Sequence, residues 1–131
     1  IITFHLPLLP STKHMLNAET LGKMKEGVIL VNTARGELFD TETLIEGVEN
    51  RKIGALAMDV FEGEDGIYHV DRTDDILRNR NMAYLRQFPN VVLTQHMAFY
   101  TQLSMDSMIE NSVEGLLDFN REGRTRFEIA F

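Results

Sequence analysis

The sequence has no cysteine, few basic residues and no long apolar run. The absence of cysteine excludes disulfides and thiolate metal sites, and it is compatible with a reducing compartment, so we expect a cytoplasmic protein. There are 13 Lys and Arg against 20 Asp and Glu, a formal net charge of -7. We therefore expect no nucleic-acid or membrane partner. No apolar run reaches the roughly 20 residues that span a bilayer, and the N-terminus lacks the basic segment of a signal peptide.

The rest of the composition is that of a globular domain. The 131 residues are 44% hydrophobic and 25% charged, close to the average for folded proteins. The chain opens with Ile1-Ile2 inside an apolar run and without an initiator methionine. We interpret it as a chain cut inside a larger protein.

Short apolar segments alternate with helical patterns along the chain. We predict strands at residues 1–4, 28–32, 53–60 and 91–94, and helices at residues 17–24, 40–48, 74–87 (beginning at Asp74 or Asp75) and 101–120. The run at 28–32 is continuously apolar, which is typical of a strand buried on both faces. Such alternation predicts an α/β fold with a parallel sheet. Ligands of these sheets bind at the carboxyl ends of the strands.

Reactive side chains follow three of the predicted strands. Arg35 could bind a carboxylate with two hydrogen bonds, or it could form an ordinary surface salt bridge. Gly36 beside it would let the backbone turn close to a ligand. His96 could transfer a proton near neutral pH, although an isolated histidine is more often structural. Glu62 and Glu64 could each orient an imidazole or be a solvated loop acid.

Four segments, in order along the chain, resemble motifs of the D-isomer-specific 2-hydroxyacid dehydrogenase family. They are His5-Leu6-Pro7 with Thr12 through Asn17, residues 21–40 (LGKMKEGVILVNTARGELFD), residues 57–64 (AMDVFEGE) and residues 95–101 (QHMAFYT). The last is similar to the histidine segment of the D-lactate and D-hydroxyisocaproate branch. Gln95 stands where many relatives have proline, and Met97 where a small polar or β-branched residue is common. The resemblance covers essentially all of the chain.

The resemblance implies a role for each candidate residue. Arg35 would bind the substrate carboxylate, His96 would be the general acid that protonates the carbonyl oxygen, and Glu64 rather than Glu62 would be its carboxylate partner. Phe99 and Tyr100 would line the substrate pocket. The implied cofactor is NAD, and the residues that would border it are His5, Leu6, Pro7, Thr33, Ala34, Arg35 and Asp59.

The same resemblance implies how the chain is organised. We expect the second half of a Rossmann-type, doubly wound parallel sheet at residues 1–100, and a C-terminal crossing helix and tail at 101–131 that return toward a substrate domain. No G-x-G-x-x-G turn occurs in the 131 residues, and the acidic residue that separates NAD from NADP is also absent. We therefore expect this chain by itself to be inactive. A homodimer through the cofactor domain is implied as well.

The implied function is hydride transfer between NAD(H) and a small 2-oxo or D-2-hydroxy acid, with pyruvate and D-lactate as the expected pair. The long segment at residues 65–78 favours the lactate-type branch. Two alternatives stay open. One is a dinucleotide-sensing binding protein like the C-terminal-binding-protein corepressors, and the other is a hydroxypyruvate- or phosphoglycerate-type dehydrogenase.

Several other residues have plainer interpretations. Met105 and Met108, at helical spacing, predict core positions, and His14 and His69 are expected at the surface. No spacing of His, Asp and Glu matches a metal motif, so we expect no metal.

Overall fold

The computed structural model describes residues 1–68, 71 and 79–129 of the chain. Three predictions concern residues outside the described ranges. They are the helix start at Asp74 or Asp75, the surface position of His69 and most of the long segment at 65–78. The described part forms two compact units, residues 1–97 and 98–131.

The first unit contains a four-stranded parallel sheet. Its strands are β1 (Ile2–Phe4), β2 (Val28–Asn32), β3 (Ile53–Met58) and β4 (Val91–Leu93), and they lie side by side in the same order as in the sequence. Phe4 pairs with Asn32, Asn32 with Met58, and Met58 with Leu93. The four strands therefore end in register, and the residues after them share one edge of the sheet. This confirms the predicted α/β class with a parallel sheet.

Helices follow the strands and begin at polar capping residues. They are α1 (Ala18–Gly22), α2 (Thr41–Glu49) and α3 (Arg80–Leu85), with a short 3-10 helix at Gly36–Leu38. The side chains of Asn17, Asp40 and Asn79 accept hydrogen bonds from backbone N–H groups in the first turns of α1, α2 and α3. Such caps satisfy N–H groups that have no partner inside the helix. In the described residues α3 begins after its cap Asn79.

One face of the sheet carries the hydrophobic core. The largest fully buried apolar side chains there are Leu16, Leu30, Leu38, Phe39, Leu44, Ile53, Leu56, Met82 and Leu85. On the other face, Ile29 is 39% exposed and Val92 is 59% exposed. The prediction that β2 is buried on both faces is therefore wrong, because the helices of this unit pack on one side and only alternate residues of the strand point toward them.

The second unit consists mainly of the helix α4 (Gln102–Glu122). Thr101 caps its first turn, and Gly123, with φ of 70°, ends it in the left-handed conformation that suits glycine. No residue of α4 is buried. Met108 is 53% exposed, so its predicted core position is wrong. None of the helices in the described residues has the length and apolar character to cross a bilayer.

The asymmetry of the sheet predicts different costs for two neighbouring substitutions in β2. Leu30 has no exposed surface, whereas Ile29 points to the open face. Leu30→Ala should lower the free energy of unfolding by about 2–5 kcal/mol because it leaves a cavity. Ile29→Ala should cost less than about 1.5 kcal/mol. Urea unfolding of the 131-residue chain measures both values, and equal costs would contradict a sheet covered on one face only.

Candidate active site

The turn after β2 is built by the side chain of Asn32. This buried amide accepts a hydrogen bond from the N–H of Ala34 at 3.0 Å and donates to the carbonyl of Arg35 at 2.9 Å. The short polar side chain thus replaces a backbone partner and closes the turn. The exposed guanidinium of Arg35 donates from Nη1 to the carbonyl of Ala34 at 2.7 Å. Arg35 lies at the same sheet edge as His96 and Glu64, but no hydrogen bond among the described residues joins it to either.

Asp59, the first residue after β3, connects the ends of three strands. Its N–H donates to the carbonyl of Asn32 at 3.0 Å, and its own carbonyl accepts the N–H of His96 at 2.7 Å. Its buried carboxylate accepts hydrogen bonds from the hydroxyl of Thr94 and from the N–H of Met97, the latter at 2.9 Å. Asp59 therefore holds the backbone on both sides of the His96 peptide.

The imidazole of His96 contacts the carboxylate of Glu64. The distance from Nδ1 to Oε1 is 2.5 Å, and the side chains are 33% and 18% exposed respectively. Because an ionised carboxylate can only accept, the pair requires a proton on Nδ1. His96 also has φ of 52°, a left-handed backbone that is uncommon outside glycine. The tight hold on residues 96 and 97 by Asp59 maintains this conformation.

Glu64 is held at the end of a tight turn, residues 61–64. Its N–H donates to the carbonyl of Phe61 at 3.2 Å, and its Oε2 accepts the N–H of Phe61 at 2.6 Å. Gly63 has φ of 72°, which a side chain would disfavour. Both carboxylate oxygens of Glu64 are thus engaged, one by its own turn and one by His96.

Glu62 points away from His96, to the opposite side of the same turn. Its carboxylate binds Nε2 of His14 at 2.7 Å and the hydroxyl of Thr41 at 2.7 Å. Partial burial alone would raise the pKa of the Glu62 carboxyl, but the hydrogen bonds from Thr41 and His14 outweigh it and lower that pKa below its usual value. The expectation of a surface position for His14 is therefore corrected: its side chain is paired with Glu62 and half-buried. The interpretation of Glu62 as a solvated loop acid is wrong too.

Gly36 lies against the turn that carries Glu62 and Glu64. A Cβ at this position would stand 2.1 Å from the carbonyl carbon of Phe61 and 2.3 Å from the N of Glu62. The sequence suggested that Gly36 brings the backbone close to a ligand. In the structure it brings the backbone close to this turn, and so fits the Arg35 loop against the Glu64 loop.

The remaining candidates of the first unit follow β1 and β2 at the same edge. His5 and Leu6, exposed, follow β1, and the loop after Pro7 is closed by the Thr12 hydroxyl, which donates to the carbonyl of Pro7 at 2.8 Å. Thr33 is exposed beside Ala34 after β2. Phe99 and Tyr100 belong to the second unit, where their rings meet edge to face with centroids 6.3 Å apart.

Several residues that organise the site were not among the candidates predicted from the sequence. Asn32 and Thr94 hold the strand-end turns, while His14 and Thr41 hold Glu62. An asparagine that ends an apolar run is a recognisable signal for a turn. The other three contacts join residues that are 21 to 48 positions apart, and no local pattern announces them.

The arrangement can support proton transfer. A partly exposed imidazole is fixed by a carboxylate on Nδ1, so exchange with a ligand would take place at Nε2. A guanidinium on the neighbouring turn offers a binding group for an anion. Within residues 1–68, 71 and 79–129, no group of three or more His, Asp or Glu side chains could hold a metal ion.

Gly36→Ala should be costly because the new methyl group meets backbone rather than a flexible side chain. We expect a loss of about 1–3 kcal/mol in unfolding free energy, as for an overpacked core site. Gly22→Ala is the matched control, since a Cβ there meets nothing within 4 Å. That control should be neutral or stabilising by up to about 1 kcal/mol. A Gly36 variant as stable as the control would show that the two loops are not in close contact.

Low pH should lower the unfolding free energy of the first unit, because folding lowers the pKa of two carboxyl groups, Glu62 and Asp40. The pKa of the Asp40 carboxyl is lowered by hydrogen bonds from the hydroxyl and N–H of Thr43, and that of Glu62 is lowered as described. A carboxyl group whose pKa is lowered by folding stabilises the folded state at any pH above its pKa in the unfolded chain, which is about 3.9 for Asp and 4.3 for Glu. This stability is lost as the pH falls through the lower pKa of the folded state. Unfolding free energy should therefore decline below about pH 5. Glu62→Gln should flatten the decline, and a slope that does not change would contradict the assignment.

Comparisons with known proteins identify the family of the chain. The model of the D-isomer-specific 2-hydroxyacid dehydrogenase family, NAD binding domain, matches residues 1–98. An aromatic 2-oxoacid reductase of Clostridium sporogenes is 42% identical over 123 residues, which are 94% of this chain and 37% of that protein.

Two solved structures are similar over 98% of the chain and 39% of their own length. A D-lactate dehydrogenase from Treponema pallidum has a TM-score of 0.91 and 31% identity. The D-isomer-specific 2-hydroxyacid dehydrogenase from Lactobacillus delbrueckii, in its NAD-complexed form, has a TM-score of 0.87 and 32% identity. The chain thus spans less than half the length of each of these relatives. Because the family model matches three quarters of its length and its fold matches these solved structures, the chain belongs to the NAD-binding domain of the D-isomer-specific 2-hydroxyacid dehydrogenase family.

Proposed function

We propose that this chain supplies the proton-transferring part of an NAD-dependent dehydrogenase that reduces a small 2-oxo acid to the D-2-hydroxy acid. The observation that carries the proposal is the 2.5 Å contact between His96 Nδ1 and Glu64 Oε1 at the carboxyl edge of the sheet. In open parallel sheets this edge is where ligands bind.

In this proposal His96 is the general acid. A protonated imidazole donates from Nε2 to the carbonyl oxygen of the substrate, and it takes the proton back in the reverse direction. The negative charge of Glu64 stabilises the imidazolium and fixes the orientation of the ring. Asp59 contributes by holding the backbone of residues 96 and 97.

Arg35 is proposed to bind the substrate carboxylate. Its guanidinium can form two parallel hydrogen bonds with a carboxylate, which orients the 2-oxo group as well as holding the charge. In a chain with a net charge of -7, an anionic substrate depends on such a local cation. We assign Phe99 and Tyr100 to the walls of the substrate pocket by the family resemblance.

The residues at the sheet edge fit the nicotinamide cofactor of the family. The turn after β2 presents the hydroxyl of Thr33 and the small side chain of Ala34, and the turn after β1 presents His5, Leu6 and Pro7, of which Leu6 is 43% exposed. The hydroxyl of Thr33 and the methyl group of Ala34 suit the flat nicotinamide ring with its polar amide. We propose that His5, Leu6 and Pro7 border the adenine side of the cofactor. Bound NADH would supply the hydride. We propose that Asp59 borders the same cofactor.

We further propose that the chain acts as part of a longer protein. The structural relatives are more than twice as long as the part they share with it, and the 131 residues hold no glycine-rich phosphate-binding turn. In this organisation residues 1–100 complete the cofactor domain and 101–131 return toward the substrate domain. A homodimer through the cofactor domain is part of the same proposal.

Pyruvate is the first substrate candidate and an aromatic 2-oxo acid is the second. The D-lactate dehydrogenase from Treponema pallidum favours the first by its TM-score of 0.91. The aromatic 2-oxoacid reductase favours the second by its 42% identity. Both substrates place a carboxylate next to the reacting carbonyl, so they make the same demands on Arg35 and His96.

The proposal predicts NADH oxidation by the complete enzyme, meaning this chain with the further segments that its relatives carry. We expect turnover of at least about 1 per second with pyruvate or phenylpyruvate, and the ratio of kcat/KM identifies the substrate. Oxidation of the D but not the L hydroxy acid should accompany it. The 131-residue chain assayed alone should show no turnover.

His96→Ala is the variant that tests the mechanism. Loss of the general acid should lower kcat by about 10²–10⁴-fold, whereas NADH binding measured by fluorescence should persist. His14→Ala is not a suitable control because His14 contacts the Glu64 turn, so Gln87→Ala on the exposed surface after α3 serves instead. Near-normal turnover of the His96 variant, or a wild-type enzyme that reduces no 2-oxo acid, would refute the proposal.

A further inference from the structure

The turn of residues 61–64 is held from both sides. Glu64 faces His96, while Glu62, two residues earlier, faces His14 and Thr41 on the other side of the turn. We propose that His14 and Thr41 are positioning residues, which act through Glu62 to hold Glu64 against the imidazole of His96. The inference rests on the proposed function and deepens it, because it extends the site to a second histidine–glutamate pair.

The contacts of Glu62 exceed those of an ordinary surface ion pair. One carboxylate oxygen binds Nε2 of His14 at 2.7 Å and the other accepts the hydroxyl of Thr41 at 2.7 Å. The backbone carbonyl of Glu62 accepts a third hydrogen bond, from Nδ2 of Asn79 at 3.1 Å. The Glu62 side chain is only 29% exposed. Three partners from three separate segments thus fix one residue of a four-residue turn.

His14 is itself held in place independently of Glu62. Its N–H donates to the carbonyl of Glu37 at 2.8 Å, and its carbonyl accepts Nδ2 of Asn17 at 3.0 Å. With φ of 49°, its backbone is in a left-handed conformation that the surrounding contacts must maintain. The imidazole therefore presents a fixed donor to Glu62. The second acid that faces it is Asp40, with Nδ1 and Oδ2 4.0 Å apart.

Thr41 supplies an equally fixed donor because it is the first residue of α2. Asp40 caps that helix through the N–H of Thr43, and Thr41 is itself buried. A carboxylate near the N-terminus of a helix is also favoured by the helix dipole. The position of Glu62 is thus determined by a residue of the turn before α1 and by the first residue of α2, which both lie outside the turn of residues 61–64.

Movement of Glu62 must move Glu64. Only Gly63 separates them, and the turn is closed by the Glu64 N–H to the carbonyl of Phe61. Gly36 packs against the backbone of Phe61 and Glu62 from a further side. Release of Glu62 would therefore let the whole turn shift, and a small displacement of a catalytic group lowers the rate strongly.

A double-mutant cycle in the complete enzyme tests the inference. Thr41→Val removes the hydroxyl with little change in shape. His14→Asn removes the contact with Glu62 but keeps a residue that tolerates a left-handed backbone. Each should lower kcat about tenfold or more, with KM for NADH changed less than about twofold, because neither residue is placed at the cofactor. In a Glu64→Gln background the same substitutions should change kcat less than about twofold.

The controls separate positioning from general stabilisation. Glu42→Gln, one residue from Thr41 and bonded to Asn81 rather than to the turn, should leave kcat unchanged in both backgrounds. Thr41→Ser restores a hydroxyl and should recover most of the activity lost in Thr41→Val. Losses of kcat that are as large in the Glu64→Gln background as in the wild type would overturn the inference, as would full activity of both variants.

A spectroscopic measurement on the 131-residue chain tests the inference without any substrate or turnover. The proton on Nδ1 of His96 is held in a short hydrogen bond to a carboxylate, and its NMR resonance reports the geometry of that contact. Thr41→Val and His14→Asn should shift or broaden this resonance, while Glu42→Gln should not. A resonance that is the same in all four chains would overturn the positioning role even if the enzyme reduces 2-oxo acids. An absence of any 2-oxo acid reduction, with the resonance altered as expected, would overturn only the proposed function.

Discussion

The site depends on one constraint, which is that Asp59 ties the ends of three parallel strands together. Its N–H bonds to the end of β2, and its carbonyl and carboxylate bond to residues 94, 96 and 97 after β4. A typical intramolecular hydrogen bond contributes about 0.5–1.5 kcal/mol net. Together, the bonds from residues 94, 96 and 97 to Asp59 hold the left-handed backbone of His96. The register of the strands brings His96 to the edge of the sheet where Glu64 also lies, and the Asp59 carboxylate adds two further contacts on either side of it.

A second constraint is steric rather than electrostatic. Gly36 and the turn at 61–64 approach so closely that no side chain fits between them. This contact sets the position of the Arg35 loop relative to the Glu64 loop, although neither charged side chain takes part in it. The loops of Arg35, Glu64 and His96, for which we propose anion binding and proton transfer, are therefore positioned in part by backbone packing.

The two faces of the sheet differ in what they contribute. The packed face carries the hydrophobic core of residues 1–97. The open face leaves Ile29 and Val92 in contact with solvent, and α4 in the second unit has an uncovered apolar side as well. Exposed apolar side chains of this kind are common where other segments or chains make contact, in keeping with relatives that extend well beyond the part shared with this chain.

The sequence by itself determined the alternation of strands and helices, the family, and the three residues to examine, because apolar periodicity and the order of short motifs are local properties. It also pointed to Glu64 as the partner of His96, by motif spacing. Only the tertiary structure decided that Glu62 binds His14 and Thr41, that Gly36 approaches a loop rather than a ligand, and that one face of β2 is exposed. The physical reason is that these contacts join residues far apart in sequence, and their distances are set by the packing of whole elements, which no single segment encodes.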